Sequence, residues 1–323
     1  MKNNNCCGVA LPEGGALPDA AIEVLRKHRD LVETVELIYD WRQLEELGPI
    51  VSNLKSRTGL SVHVSRVESG REQKQRAKLG DDSTKFSHFV STGFSAGEWD
   101  SIDTFTASSA EAKSVDGFGF RLGYNHELWP EIAEIDRCAK ERDLEASVYV
   151  KLASDNPAEE VEDDRLITNR IAKAMVAAFA VPKMQVFLDT FADLDRGYFP
   201  RHGLYDRRFN PRPASHVYRH LQTYLAEMSG TAALGACNDV VAGRIGQFEI
   251  GGRSCALMLP GEKAKTGECV SGLTARGLQA VPSGEWIDLV TGEISGFASG
   301  ESEAVTKIAE RLIQDSQLLL VGA

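Results

Sequence analysis

The sequence predicts an α/β fold: a (β/α)8 TIM-like barrel over residues 1–228, followed by a small antiparallel, β-sandwich-like domain over 229–323. Three observations lead there. Short β-type runs alternate with helical patterns up to about residue 228, which is the texture of parallel α/β structure. The runs number eight, as a closed barrel requires. Beyond residue 228 the helical period gives way to short apolar strands separated by Gly-containing turns.

In chain order the eight runs are CGVAL (7–11), VELIYD (35–40), SVHVSRV (61–67), SHFVST (87–92), SIDTFTA (101–107), GFGFRLGY (117–124), ASVYVKL (146–152) and QVFLDTF (185–191). Between the second and third, Leu44, Leu47, Ile50, Val51 and Leu54 share one helical face. Leu128, Ile132 and Ile135 repeat the pattern after the sixth run. Ile167, Ile171, Met175 and Phe179 follow fourfold spacing between the seventh and eighth. The link between the fourth and fifth, GFSAGEWD, is barely a turn of helix, so a smaller open sheet is the competing architecture. A helix is expected near Pro213 to Glu227. QFEIGGRSCALMLPG and GEWIDLVTGEISGF then read as antiparallel strands, and SEAVTKIAERLIQDSQLLLVGA as a helix and a strand. No internal repeat or low-complexity linker interrupts the chain.

Composition sets limits on function. At 42% hydrophobic and 26% charged, the 323 residues form an ordinary globular chain. A net charge of -11 weighs against nucleic acid, whose phosphates call for a basic face. No apolar run reaches the roughly 18 residues of a membrane helix, and MKNNNCCGVALPEGG has too short an apolar segment for a secretory signal, so a cytoplasmic protein is expected. The six cysteines show no CxxC spacing, which speaks for reduced thiols and against a zinc site. GGRSC and SGTAALG do not sit between a strand and a helix as a dinucleotide fingerprint would, and GxxxxGK[ST] is absent. No cofactor is expected. Oligomeric state is not readable.

Catalytic groups of a parallel barrel lie at the C-terminal ends of its strands and in the loops that follow. Asp189 ends the last run. The loop after it carries Asp193, Asp195, Arg196, Tyr198, Arg201, His202, Asp206, Arg207 and Arg208. Arg forks donate bidentate bonds and Asp accepts from hydroxyls, so such a loop suits sugar hydroxyls or a carboxylate. The same alternation of signs suits an internal salt-bridge network that orders a long loop.

DTFADLDRGYFPRHGLYDRRFNPRPASHVYRHL resembles the segment after the eighth strand of clan A glycoside hydrolases: an acidic or aromatic strand end, a Gly-Tyr step, a basic-Gly-Leu turn, and an Arg and Pro before the last helix. VDGFGFRLGY resembles their sixth strand, and ASVYVKLASDNPAEEVEDDRLITNRIAKA has the layout of their seventh strand and helix. The resemblance covers about residues 115–295, and it implies a barrel, a trailing β domain and a saccharide ligand. It departs from the family at the chemistry. Retaining hydrolysis needs Glu at the ends of the fourth and seventh strands, whereas this chain has STGFSAGEW, with Glu98, at the first place and Lys151 at the second.

Each candidate has two readings. Lys151 is either a Schiff-base lysine or the partner of an Asp in a bridge. Arg66 and Arg121, with Tyr124 close by, either hold an anionic sugar group or neutralise Asp40 and Asp189. Asp40 beside Trp41 suits a sugar, whose C–H face packs on rings, and equally suits a helix cap. Glu68 and Glu127 are further carboxylates that a loop would aim inward, Glu127 also fitting the first turn of its helix. His202 is an acid–base group or a hydrogen-bond bracket. The expected function is therefore a glycoside hydrolase-like, carbohydrate-active enzyme on an acidic saccharide. Asp189, Lys151 and Asp40 are its catalytic candidates, and Arg66, Arg121, Tyr124, Asp193, Arg196, Arg201, His202 and Trp41 its binding candidates. The alternatives are a Lys-dependent lyase or aldolase on a sugar acid, and a non-catalytic saccharide-binding relative of a glycosidase. The expected partner is a saccharide or sugar acid, with no nucleic acid and no membrane.

Overall fold

The computed structural model describes residues 6–10, 17–40, 44–68, 91–152, 164–181, 183–193, 203–228, 230–265, 267–298 and 300–322. The chain divides into two compact units. One comprises Met1–Tyr124, Glu134–Lys151 and Lys183–Phe187, the other Asn125–Ala133, Leu152–Pro182 and Leu188–Ala323.

The first unit is built on a seven-stranded sheet of β1 (Cys6–Ala10), β2 (Thr34–Asp40), β3 (Ser61–Glu68), β4 (Ser91–Thr92), β5 (Gly117–Leu122), β6 (Glu145–Val150) and β7 (Met184–Leu188). Its order is β1-β2-β3-β5-β6-β7, with β4 beside β3, and β1, β2, β3, β5 and β6 pair in parallel. Helices α1 (Asp19–Lys27) and α2 (Leu44–Thr58) connect the first three strands. The spacing read for α2 holds, since Leu47, Val51 and Leu54 are fully buried, each such burial stabilising by about 1.5–3 kcal/mol.

One sequence expectation is corrected here. The fifth run, SIDTFTA, lies within helix α3 (Trp99–Ser108). Trp99, Ile102 and Phe105 recur at threefold spacing and bury together, so a helical period outweighs the β-type composition of Ile, Thr and Phe. The ring of Phe105 meets Phe118 edge-on at 6.0 Å and Trp99 lies 5.0 Å from Phe120, which fixes α3 on the outer side of β5. Of the fourth run, Ser91–Thr92 pair antiparallel with β3 and residues 87–90 lie outside the described residues; Phe94 then bridges Phe120 in parallel. The described strands thus form a path ending at β1 and β7, and no closed eight-stranded barrel is present among the described residues.

This sheet is nonetheless curled. Gln185 Nε2 on β7 donates to Thr34 Oγ1 on β2 at 3.1 Å, Tyr149 on β6 donates to Glu36 on β2, and His63 Nδ1 on β3 lies 2.7 Å from Ser147 Oγ on β6. Strands that are not neighbours touch through one face only, so that face is concave.

In the second unit, α5 (Asp164–Ala180) and α6 (Pro213–Glu227) pack on each other. The expected Pro213 helix is present, with Pro in its first turn where no amide donor is needed. Helix α5 buries residues around its whole circumference, as a helix between layers must. The sheet here is a single six-stranded antiparallel one rather than a sandwich, ordered β12-β11-β13-β10-β9-β8. Its strands are β8 (Ala232–Val240), β9 (Gly243–Ile250), β10 (Arg253–Pro260), β11 (Ser283–Asp288), β12 (Ile294–Ala298) and β13 (Leu318–Gly322). Gly251 and Gly252, at φ +61° and +78°, make the tight β9–β10 turn that two left-handed residues allow. Helices α7 (Gly267–Ala280) and α8 (Ser302–Ile313) enclose one core with Ile245, Ala256, Met258, Trp286, Leu318 and Leu320. Cys255, Leu257 and Leu259 are buried on the alternate face, where α5 takes the place a second sheet would have. Helix α4 (Leu128–Glu141) buries Leu128, Ile132 and Ile135 as read from the sequence.

Candidate functional site

The concave face of the first sheet is polar because polar and apolar residues alternate along its strands. In TVELIYD the residues Val35, Leu37 and Tyr39 turn outward and bury, leaving Thr34 and Glu36 on the inner face. In SVHVSRVE, His63 and Ser65 turn inward, and in EASVYV so do Ser147 and Tyr149. β5 has glycine at the matching places. A Cβ on Gly119 would overlap Ser65 Oγ and Glu36 Oε1, and one on Gly117 would come within 2.6 Å of the Glu145 carbonyl and 2.8 Å of His63 Nε2. The GFGF run therefore sends two phenylalanines into the outer core while its glycines leave room for the polar groups.

Those groups form two clusters. Glu36 is 2% exposed, and its carboxylate accepts from the Ser65 hydroxyl and the Tyr149 phenol. The Tyr149 ring stacks on Phe187 at 5.1 Å and 17°. His63, fully buried, joins Ser147 Oγ to Glu145 Oε2 at 3.1 Å, and the hydrogen bond from His63 holds the Glu145 carboxyl below its ordinary value. Tyr149, Arg121, Lys151, Gln185 and Phe187 are only half-buried, whereas the outward Val35, Leu37, Val62, Val64, Phe118 and Phe120 are fully buried. On the inner face Thr34, Glu36, His63, Ser65 and Ser147 are buried as well, so water and a ligand reach that face through Arg121, Tyr149, Lys151, Gln185 and Phe187.

The sequence candidates fall as follows. Arg121 is the last residue but one of β5, its amide bonded to the Phe94 carbonyl at 2.8 Å, and Lys151 follows β6, its amide bonded to the Leu122 carbonyl at 3.0 Å. The two stand at the C-terminal ends of adjacent strands. Asp40 closes β2, and Tyr124 lies half-buried in the turn after β5. Arg66 instead points outward, where it pairs with Glu98 at 2.5 Å and covers the Phe94 ring at 5.7 Å. Burial beside that pair pushes the Tyr39 phenol up to about 12.

In the second unit, Asp189 Oδ1 accepts from the Leu152 amide and Thr190 Oγ1, both at 3.1 Å. Asp193 is buried, accepting from the Gly203 amide at 2.8 Å and from Arg212 at 2.5 Å, and Arg212 reaches on to Asp164 at 2.9 Å. These bonds hold the two ends of the charged loop together. Glu127 pairs with Lys173 at 3.3 Å and with Arg244. Trp41, Arg196, Arg201 and His202 lie outside the described residues.

Glu36, His63, Ser147, Tyr149 and Gln185 escaped the sequence reading, which weighed strand ends and the loops that follow them. Their signal was present as polar residues at every second position of strands that a fully apolar interior would have made continuous. Among the described residues no group of three or more His, Cys, Asp or Glu is placed to hold a metal ion, and no helix is long and apolar enough to cross a membrane.

No model of a protein family matches the sequence, and neither does any curated protein. Solved structures do match. The chain is similar to a family 39 glycoside hydrolase from the gut symbiont Bacteroides cellulosilyticus WH2, at 12% identity and a TM-score of 0.49 over 94% of this chain and 61% of that one. It is also similar to a glucosidase from Croceicoccus marinus, at 10% identity and a TM-score of 0.40 over 70% and 48% of the two chains. A noncanonic maltogenic α-amylase, AmyB from Thermotoga neapolitana, matches at 9% identity and a TM-score of 0.30 over 99% and 96%. Below a TM-score of 0.5 such likeness does not by itself establish a function, and this chain spans under two thirds of the length of the first two.

Proposed function

We propose that the chain is a glycoside hydrolase-like, carbohydrate-active protein that holds a saccharide against the concave face of its parallel sheet. The observation that carries this reading is the group of half-buried side chains Arg121, Tyr149, Lys151, Gln185 and Phe187 on that face, beside the buried polar groups Glu36, His63 and Ser147. A pyranose has hydroxyls around its rim and apolar C–H faces. The stacked Tyr149 and Phe187 rings suit those faces, and Gln185 and the Glu36-anchored phenol suit the rim. Arg121 and Lys151 at adjacent strand ends suit a carboxylate on the sugar, which makes an acidic saccharide the favoured ligand class.

The test is titration calorimetry with acidic and neutral oligosaccharides, paired with an assay for new reducing ends. Binding that weakens about tenfold or more in Arg121→Gln or Tyr149→Ala, each a loss of about 1.4 kcal/mol, supports the reading. No saccharide binding by the wild-type protein sinks it. Turnover distinguishes a hydrolase from a binding protein, and borohydride trapping of a carbonyl substrate on Lys151 would assign the lyase chemistry instead.

A further inference from the structure

We propose that the turn after Tyr205 carries a second, surface subsite for a uronic-acid-containing saccharide, formed by Phe209 with Arg207, Arg208 and the Phe191–Tyr205 ring pair. Its ligand class rests on the saccharide reading above; its residues are separate from the concave face.

Phe209 is 69% exposed and Phe191 64%, the most exposed aromatic side chains among the described residues. Phe209 also has φ +60°, a left-handed conformation that bulky side chains avoid and that Gly or Asn adopts readily. Both features work against stability, so the folded chain alone gives no reason for phenylalanine there. The turn that displays it is rigid. Asp206 accepts from the Arg208 amide at 2.7 Å and from the Asn210 amide and side chain at 2.8 Å each, and its own amide donates to the Asn210 carbonyl at 3.0 Å. Phe191 meets Tyr205 at 5.0 Å, and Tyr205 forms bridges to both Ala192 and Pro211, so the ring pair and the turn belong to one small framework.

The chemistry of that framework selects its occupant. Its exposed apolar groups are flat rings, the shape that takes the C–H face of a pyranose, and the exposed Arg208 next to Phe209 offers a planar fork for a carboxylate, with the charge of Arg207 beside it. In a chain of net charge -11, adjacent arginines next to an exposed ring make a locally basic spot that favours an anionic ligand.

The experiment compares the full-length wild-type protein with Phe209→Gly, Arg208→Gln and Arg121→Gln. The probes are oligosaccharides of galacturonate, of mannuronate and guluronate, and of alternating glucuronate and hexosamine, with neutral oligomers of equal length. Calorimetry gives Kd and thermal unfolding gives Tm. The expected result is preference for a uronate series, about a tenfold higher Kd in Phe209→Gly and in Arg208→Gln, and a Tm for Phe209→Gly no lower than wild type. Unchanged affinity in Phe209→Gly, or preference for the neutral oligomers, overturns the subsite. If Arg121→Gln alone weakens binding, the subsite falls and the concave-face reading stands. The reverse pattern keeps the subsite and removes the concave-face reading, and binding of no saccharide at all removes both.

Discussion

Glu36 lies among the buried residues with two hydroxyl donors, and Gly119 faces it from β5 with no side chain in between. Gly119→Ala would force a methyl group into the Ser65 and Glu36 oxygens, and the expected cost is about 1–3 kcal/mol of stability, read as a lowered denaturation midpoint at unchanged m-value. Tyr149→Phe removes one of the donors and leaves a buried carboxylate with the other, for an expected loss of about 1–3 kcal/mol. The two substitutions act on one cluster, so their sum is expected to exceed the double variant, and simple additivity would show that they do not share Glu36. Glu145 gives a pH prediction. Its folded-state pKa is depressed by His63, so its contribution is complete above the ordinary glutamate value of 4.5 and fades as pH falls through the lower folded value. Relative to Glu145→Gln, the wild-type Tm is expected to drop more steeply on acidification below pH 4.5; parallel curves would remove the His63–Glu145 bond from the account.

At the scale of the element, the helices with a clear period were legible and the strand count was not. Leu47, Val51 and Leu54, and likewise Ile167, Ile171 and Met175, announce their buried faces by spacing alone. SIDTFTA misled because Ile, Thr and Phe favour strands, while the contact that decides the matter, Phe105 on Phe118, is made with a later strand. Strand ends drew attention to Arg121 and Lys151, which do flank the concave face. No local pattern tells that Arg66 turns outward to Glu98, a residue 32 positions on. The charged loop divides the same way. Its Asp193 serves as a bracket, and Asp193→Ala is expected to cost about 3 kcal/mol by leaving Arg212 and the Gly203 amide short of a buried acceptor. A lowered denaturation midpoint would record the loss; an unchanged midpoint would show that the bracket holds nothing.

For the whole molecule, the acid limb of stability is a collective property. Glu23, Asp103, Glu127, Glu134, Glu145, Asp206 and Glu303 are all held below their ordinary values, mostly by hydrogen bonds or ion pairs with neighbouring cations, by Asn210 for Asp206. Each contributes above its unfolded pKa and loses that contribution as pH falls, so protonation works against the fold in both units below about pH 4.5. The position of β13 has a consequence of another kind. It lies between β10 and β11, and its residues Leu318 to Val321 are almost wholly buried, so the middle of the second sheet is supplied by residues 318–322. During synthesis β10 and β11 emerge first and present two unpaired apolar edges until residue 322 has left the ribosome. A chain stopped at residue 316 is expected to collect in inclusion bodies, and supplying residues 317–322 as a separate peptide is expected to rescue part of it during refolding.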